Sequence, residues 1–282
     1  MTSTNLTYQF GETTIEFGKR TYLMGILNVT PDSFSDGGRF FEQTDAVLHA
    51  YQMVKDGADI LDVGGESTRP GAESVQLEEE LRRVVPVIRK IRQKSNIPIS
   101  VDTYKSHVAI EALNAGANIV NDISGMSFDQ KMADAIAEKR ASVVIMHIKG
   151  TPKDMQANPH YENVVKEVCD YLAGAVDAAK KKGIKQVMID PGIGFGKTLE
   201  HNLELINGLD EFRSIGVPVL IGVSRKSFIG KILETPVETR LEGTAAAVTA
   251  SILHGADIVR VHDVREMRRV ALVADAIGRQ KV

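Results

Sequence analysis

Apolar positions along this chain fall into two alternating rhythms. Short, nearly unbroken runs rich in Ile, Leu and Val recur at Tyr22–Val29, Asp59–Val63, Ile97–Asp102, Asn118–Asp122, Ser142–His147, Gln186–Asp190, Pro218–Gly222 and Asp257–His262. Runs of this kind suit strands buried on both faces of a parallel sheet. Between them, apolar residues return at helical spacing over Thr44–Lys55, Leu77–Arg92, Lys105–Asn114, Gln130–Glu138, Asn163–Lys182, Leu199–Phe212, Val237–Leu253 and Val264–Ile277. Residues 5–18 read differently, as a hairpin of Leu6–Phe10 and Thr13–Phe17 around a Gly11-Glu12 turn. Eight strand–helix alternations over roughly 260 residues predict a single α/β domain spanning 1–282. Its expected form is a (β/α)8 TIM barrel with an N-terminal β-hairpin. A doubly wound open sheet is the structural alternative, but Asn28-Val-Thr-Pro stands where its Gly-rich fingerprint would follow the first strand.

One phrase is repeated three times: Gly57-Ala-Asp-Ile-Leu, Gly116-Ala-Asn-Ile-Val and Gly255-Ala-Asp-Ile-Val. A Gly there suits the left-handed residue that closes a helix before a strand begins. Five residues beyond each Gly stand Asp62, Asn121 and Arg260, in one strand register and therefore on one face. Most connections are short, but Thr30–Gln43, Gly64–Gln76 and Val223–Thr235 are long, and all three follow strand ends. Barrel enzymes carry their sites at that end, and long loops there are more often lids than idle insertions.

Charge and composition narrow the classes. A net charge of −3 argues against nucleic-acid or membrane-surface binding. The single cysteine, Cys169, excludes an internal disulfide and a thiolate metal cluster, and is expected to fill a helix face. With no basic start, apolar leader or membrane-length apolar run, the expectation is a cytoplasmic protein.

The strand ends offer Asn28, Asp62, Asp102, Asn121, Asp122, His147, Asp190, Arg260 and His262. Any one Asp at a barrel rim is as often a satisfied structural group as a functional one. Together, carboxylates and amides suggest a heterocycle whose N–H groups need acceptors. Arg260 and His262, two apart on one strand, suit a phosphate-type anion. Ser224-Arg-Lys-Ser-Phe-Ile-Gly230 adds two cations, and Thr68-Arg-Pro-Gly71 aims an Arg from a fixed turn. Pro31–Gly38 has Gly hinges that could close over a substrate. Pro191-Gly-Ile-Gly-Phe-Gly-Lys-Thr198 ends like a phosphate-binding loop, but Pro191 replaces the motif's first Gly. A backbone wall for a flat ring, with Phe195 beside it, fits better. The histidines lack zinc-ligand spacing, and no serine sits in a nucleophile elbow.

Met24–Gly38, Asp62–Gly71, Ser100–Thr103, Asn121–Gly125, Asp190–Lys197, Ser224–Ser227 and Arg260–His262 resemble, in order, the motifs of the dihydropteroate synthase family of pterin-binding barrels. That resemblance implies a transferase of folate biosynthesis. Such an enzyme joins 6-hydroxymethyl-7,8-dihydropterin diphosphate to p-aminobenzoate, giving 7,8-dihydropteroate and diphosphate, and sulfonamides compete at its p-aminobenzoate site. By resemblance, Asp102, Asn121, Asp190 and Lys226 hold the pterin, with Met146 and Phe195 lining its pocket. Arg69, Arg260, Val261 and His262 receive the diphosphate, and Asn28 binds Mg2+. Thr68, Pro70, Phe34 and Ser227 shape the p-aminobenzoate site. Asp36, Arg69 and Lys226 are the implied catalytic residues, with Asp36 stabilising a cationic pterin in an S_N1-like displacement. The resemblance also implies a homodimer acting on small molecules, with no nucleic acid or membrane partner. Asp62 is given no substrate role and is read as the partner of a neighbouring cation. A pterin-binding methyltransferase barrel would share the acidic pocket, but it has no need of Arg69 or Lys226. A P-loop NTPase would depend on Lys197, and a non-catalytic pterin- or phosphate-binding module would release no diphosphate.

Overall fold

The structure, a computed structural model, describes residues 6–30 and 38–278, with side chains in the first helix described from residue 43 onward. The chain opens with an antiparallel hairpin, β1 (Thr7–Phe10) and β2 (Thr13–Glu16). Eight parallel strands follow: β3 (Tyr22–Asn28), β4 (Ile60–Gly64), β5 (Ile99–Asp102), β6 (Ile119–Asp122), β7 (Ser142–Met146), β8 (Val187–Asp190), β9 (Leu220–Ile221) and β10 (Ile258–Val261). The ladder runs β8-β7-β6-β5-β4-β3-β10-β9, and a bridge between Ile189 and Val219 joins its two ends into a barrel. Packed around it are α1 (Gly38–Lys55), α2 (Leu77–Arg92), α3 (Ser106–Asn114), α4 (Met132–Glu138), α5 (Val164–Lys181), α6 (Leu199–Asn207), α7 (Ser227–Leu233), α8 (Leu241–Leu253) and α9 (Val264–Gly278).

Strand alternation sorts the side chains into two faces. Leu23, Leu61, Val101, Val143, Ile189, Val259 and their like face the helices in one continuous apolar core. Inside the barrel, Met24, Ile60, Ile119, Val144, Met188, Leu220 and Ile258 form an apolar floor. The hairpin plugs that floor from below with Tyr8, Phe10, Ile15 and Phe17, and Tyr8 packs edge to face with Phe10 and Phe17. Tyr8 Oη donates to the Val187 carbonyl at 2.9 Å, so the plug's polar tip is satisfied where it meets the barrel. Two residues along the same strands from that floor stand Ile26, Asp62, Asn121, Met146, Asp190, Gly222 and Arg260. A dry apolar layer thus underlies a polar one.

The repeated phrase behaves as expected. Gly57, Gly116 and Gly255 take φ values of +101°, +114° and +102°. In each case an arginine side chain crosses the bare Cα: a Cβ would stand 3.1 Å from Arg268, 2.8 Å from Arg92 and 2.9 Å from Arg213. A side chain at any of these glycines would collide as well as strain the backbone.

Four expected elements change. Helix α1 begins at Gly38, within the predicted first loop. The expected loop after β9 holds α7, disguised in sequence by Gly230; the Arg240 guanidinium packs onto that Cα so closely that a Cβ would come within 2.2 Å. The predicted helices over Leu199–Phe212 and Val237–Leu253 are each interrupted, with 3-10 turns at Leu209–Ile215 and Val237–Thr239. No helix among the described residues is long and apolar enough to cross a membrane.

Candidate active site at the mouth of the barrel

A cavity of about 560 Å³ opens at the C-terminal ends of the strands. Ten residues singled out in the sequence line it: Asn28, Thr68, Arg69, Pro70, Asp102, Phe195, Lys226, Ser227, Arg260 and His262. Asn121, Met146 and Asp190 are buried. Phe34 and Asp36 lie outside the described residues. Val261 is a correction: strand alternation turns it away from Arg260 and His262, into the helix-facing core, so its side chain has no part in the site. Asp122 is another rim carboxylate with a structural task, since it accepts from the Ser124 and Met126 backbone N–H groups and the Ser124 hydroxyl.

At the centre lies a charge network. Arg260 Nε donates to Asp62 Oδ2 at 2.6 Å and its Nη2 to Asp102 Oδ2 at 2.7 Å. Asn121 Nδ2 donates to the same Asp62 oxygen at 3.0 Å. Asp62 is therefore the partner of a cation, and its cation is Arg260. Burial opposes the Arg260 charge, but Asp62 and Asp102 outweigh it and push the guanidinium pKa up. Burial pushes the Asp102 carboxyl up as well, against the pull of Arg260. Among the described residues Asp102 Oδ1 has no hydrogen-bond partner, leaving an acceptor oxygen in a dry setting beside the cavity.

Asp190 and Lys226 form the second pair of charges. Asp190 Oδ1 accepts from the Gly192 N–H at 2.7 Å; burial raises its pKa while Lys226 works in the opposite direction. Lys226 donates to the Ile193 carbonyl, with its ammonium 4.8 Å from the centre of the Phe195 ring. Burial lowers the Lys226 pKa to about 8, against the attraction of Asp190. The neighbouring Arg225, by contrast, is occupied by Asp263 at 2.9 and 2.6 Å.

His262 is not a cation here. Burial, followed by the charges of Arg260 and Arg225, lowers its pKa to about 4. Its backbone N–H donates to Ser224 Oγ at 3.2 Å, which leaves the hydroxyl proton for His262 Nδ1, 3.0 Å away. That pattern assigns the ring proton to Nε2, making His262 a neutral N–H donor. Arg69 stands exposed on the rim, in a turn closed by its own carbonyl and Ala72 N–H at 3.0 Å. Gly71, at φ +78°, donates to the Pro152 carbonyl and ties that turn to the loop after β7.

Sequence reasoning missed Glu66 and Arg240 and gave Ser224, quoted within its motif, no role of its own; all three line the cavity. Ser224 was findable, since it continues the inward alternation of Leu220 and Gly222. Glu66 accepts from Tyr104 and Lys105, and Lys105 also meets the buried Glu80. That contact joins three segments, and Arg240 reaches the cavity across a helix boundary. No local pattern marks either one. The whole arrangement gathers buried acceptors, N–H donors and cations at one cavity, suited to a donor-rich ring carrying an anionic group.

A model of pterin binding enzymes matches residues 24–262. A dihydropteroate synthase from Synechocystis sp. is 49% identical over 272 residues, covering 95% of this chain and 94% of that protein. The fold superposes with a TM-score of 0.92 on a Yersinia pestis dihydropteroate synthase solved in complex with a sulfonamide drug, at 38% identity over 98% of this chain and 100% of that one. A Xanthomonas albilineans dihydropteroate synthase solved with 4-aminobenzoic acid gives a TM-score of 0.91 at 42% identity, over 97% and 98% of the two chains.

The network makes a stability prediction. Arg260→Met strands two buried carboxylates and should cost about 3–5 kcal/mol near neutral pH. In the variant Asp102, whose pKa burial raises, binds its proton more tightly folded than unfolded. The penalty is therefore present above the unfolded carboxyl range and is relieved as pH falls through the raised Asp102 value. Urea titrations of both proteins at pH 7 and pH 5 should show the gap narrowing; a gap that stays constant or widens would contradict the assignment.

Proposed function

The chain belongs to the dihydropteroate synthase family of pterin-binding enzymes, and from that membership we propose how its barrel mouth divides the reaction among its residues. The enzyme condenses 6-hydroxymethyl-7,8-dihydropterin diphosphate with p-aminobenzoate, releasing diphosphate and forming 7,8-dihydropteroate. One observation carries the allocation: the buried carboxylate Asp102 lines the cavity together with the cations Lys226 and Arg69, and the buried Asp190 carboxylate attracts Lys226.

Asp102 and Asp190 accept from the pterin ring N–H groups, and Asn121, fixed by Asp62, offers its amide oxygen. Met146 lies beneath the ring, and Phe195 and Lys226 wall it. Arg69, Arg260 and the neutral Nε2–H of His262 take the diphosphate. Thr68, Pro70 and Ser227 shape the p-aminobenzoate end, with Phe34 and Asp36 assigned by resemblance alone. Asn28 presents an amide side chain to the cavity, and no three His, Cys, Asp or Glu among the described residues gather into a metal cage. That donor set fits Mg2+, which characteristically takes one or two protein ligands and completes its shell from phosphate oxygens and water. Bound there, the ion would neutralise charge on the departing diphosphate.

The reaction breaks the bond between the pterin methylene carbon and a diphosphate oxygen, and forms one from that carbon to the p-aminobenzoate nitrogen. Charge growing on the leaving group meets Arg69, Arg260 and His262, while the cationic pterin left behind faces Asp102 and Asp190. An amine needs no strong base to attack such a cation. The displacement is accordingly S_N1-like, and the proton lost by nitrogen passes to solvent.

Incubation with pterin diphosphate, Mg2+ and p-aminobenzoate should yield dihydropteroate; no product from folded protein would refute the reading. Since Lys226 loses its proton near pH 8, kcat/KM for pterin diphosphate should fall as pH rises past that point. Lys226→Met should lower kcat/KM at pH 7 and abolish the alkaline limb. A limb that persists in the variant belongs to another group.

Two broader properties follow. The unpaired, half-buried Cys169 suits a reducing compartment, and the cytoplasm is the location proposed. Leu272, Val273 and Ile277 on α9 lie exposed beside Leu253 on α8, an apolar surface suited to a homodimer built away from the cavity. Sedimentation at micromolar concentration should report a dimer that Leu272→Glu dissociates; a wild-type monomer would contradict it.

A further inference from the structure

The segment that imitates a phosphate-binding loop has its lysine turned inward. Lys197 is 2% exposed. Its ammonium lies 3.0 Å from His147 Nδ1, 3.0 Å from the Phe195 carbonyl and 3.5 Å from the His147 carbonyl. Every one of those hydrogen-bonding partners is an uncharged acceptor; the Asp190 carboxylate attracts the ammonium, but no carboxylate among the described residues forms an ion pair with it. A lysine in that setting costs stability, and burial lowers its pKa well below the ordinary value. Something other than stability must account for its place.

Its neighbours supply the reason. Gly192, Gly194 and Gly196 take φ values of +73°, +83° and +64°, so the chain after β8 folds into a tight turn. The turn lies hard against the end of β7: a Cβ on Gly192 would stand 2.0 Å from the His147 carbonyl oxygen and 3.4 Å from Lys197 Nζ. Tyr161 Oη donates to the Gly196 carbonyl at 2.9 Å and Gln156 Nε2 to the Gly194 carbonyl at 2.7 Å. His147 itself is wedged between Tyr161 and Tyr171, with ring centroids 6.1 and 4.9 Å away. From the other side of this turn, the Gly192 N–H holds the Asp190 carboxylate and the Phe195 ring enters the cavity. Among the described residues Lys197 bonds both to the strand end behind the turn and to the turn itself.

We propose that Lys197 is a positioning residue for the pterin half of the site: from inside the wall it fastens the Gly192–Phe195 turn to His147, and so fixes the Asp190 carboxylate and the Phe195 ring. This rests on the reading of Asp190 and Phe195 as pterin-binding residues. It also gives the lysine of the Gly-Lys-Thr segment a task that has nothing to do with nucleotide phosphates. His147 takes part as the acceptor, its ring proton on Nε2, and has no contact with substrate.

Lys197→Met keeps the length of the side chain while removing its charge and donors, and Lys197→Gln returns one donor. Calorimetric titration with 6-hydroxymethyl-7,8-dihydropterin diphosphate should show Lys197→Met binding at least about tenfold more weakly, with KM for p-aminobenzoate within about twofold of wild type. Its melting temperature should hold or rise, because an unpaired buried cation has gone, and Lys197→Gln should recover part of the affinity. Wild-type affinity in Lys197→Met would overturn the proposal. So would a lowered melting temperature, or equal losses for both substrates, since either marks a merely structural lysine. Asp190→Asn separates the two levels of the argument. If it weakens pterin binding while Lys197→Met does not, the positioning role fails alone; if neither has an effect, the pterin reading fails.

Discussion

Asp62 is fully buried inside the barrel, where an ionised carboxylate without a cation would be expelled or protonated. It is kept by Arg260 at 2.6 Å, and one of its oxygens also receives the Asn121 amide. Arg260 in turn reaches Asp102 at 2.7 Å. Four side chains from β4, β5, β6 and β10 are thereby locked in orientations that none could hold alone. Two carboxyl groups against one guanidinium make an acceptor-rich setting beneath the cavity, one that favours a substrate able to become cationic. The rest of the mouth is arranged around that choice, with Arg69 kept to the rim, Lys226 held beside Asp190 and a histidine left neutral.

The polar network can exist because the layer beneath it is dry. The floor from Met24 to Ile258 is sealed by Tyr8, Phe10, Ile15 and Phe17 of the hairpin, which keeps water from the underside of Asp62. With solvent excluded, each ion pair above the floor gains strength and each unsatisfied polar atom becomes costly. The unpartnered Asp62 Oδ1 and Asp102 Oδ1 are such atoms. At Asp102 the missing bond is one that a substrate N–H can make, so binding relieves a cost that folding leaves in place. Lys197 follows the same logic behind the cavity wall, a buried charge retained for what it holds.

Much of this was legible in the sequence, for identifiable reasons. Strand alternation and the left-handed glycines are local properties, so the register that puts Asp62, Asn121 and Arg260 on one face could be counted from Gly57, Gly116 and Gly255. The pairing of Asp62 with a cation was read from its having no substrate role, and Arg260 is that cation. What failed was non-local or hidden by one residue. Val261 was carried along between two functional neighbours although alternation excludes it. Helix α7 was concealed by Gly230, which is there to let Arg240 pass. Glu66 meets Tyr104 and Lys105 only because β4 and β5 lie side by side, and the inward turn of Lys197 depends on contact with the end of β7.

The central claim is that a residue outside the cavity organises it. Asp62→Asn tests this most directly, because it preserves shape and removes only the charge that holds Arg260 and Asn121. Calorimetric titration of that variant with pterin diphosphate, alongside a check that it remains folded, should show affinity reduced by about tenfold or more, which corresponds to roughly 1.4 kcal/mol. Affinity equal to wild type in the folded variant would contradict the account and return Asp62 to the class of inert buried carboxylates.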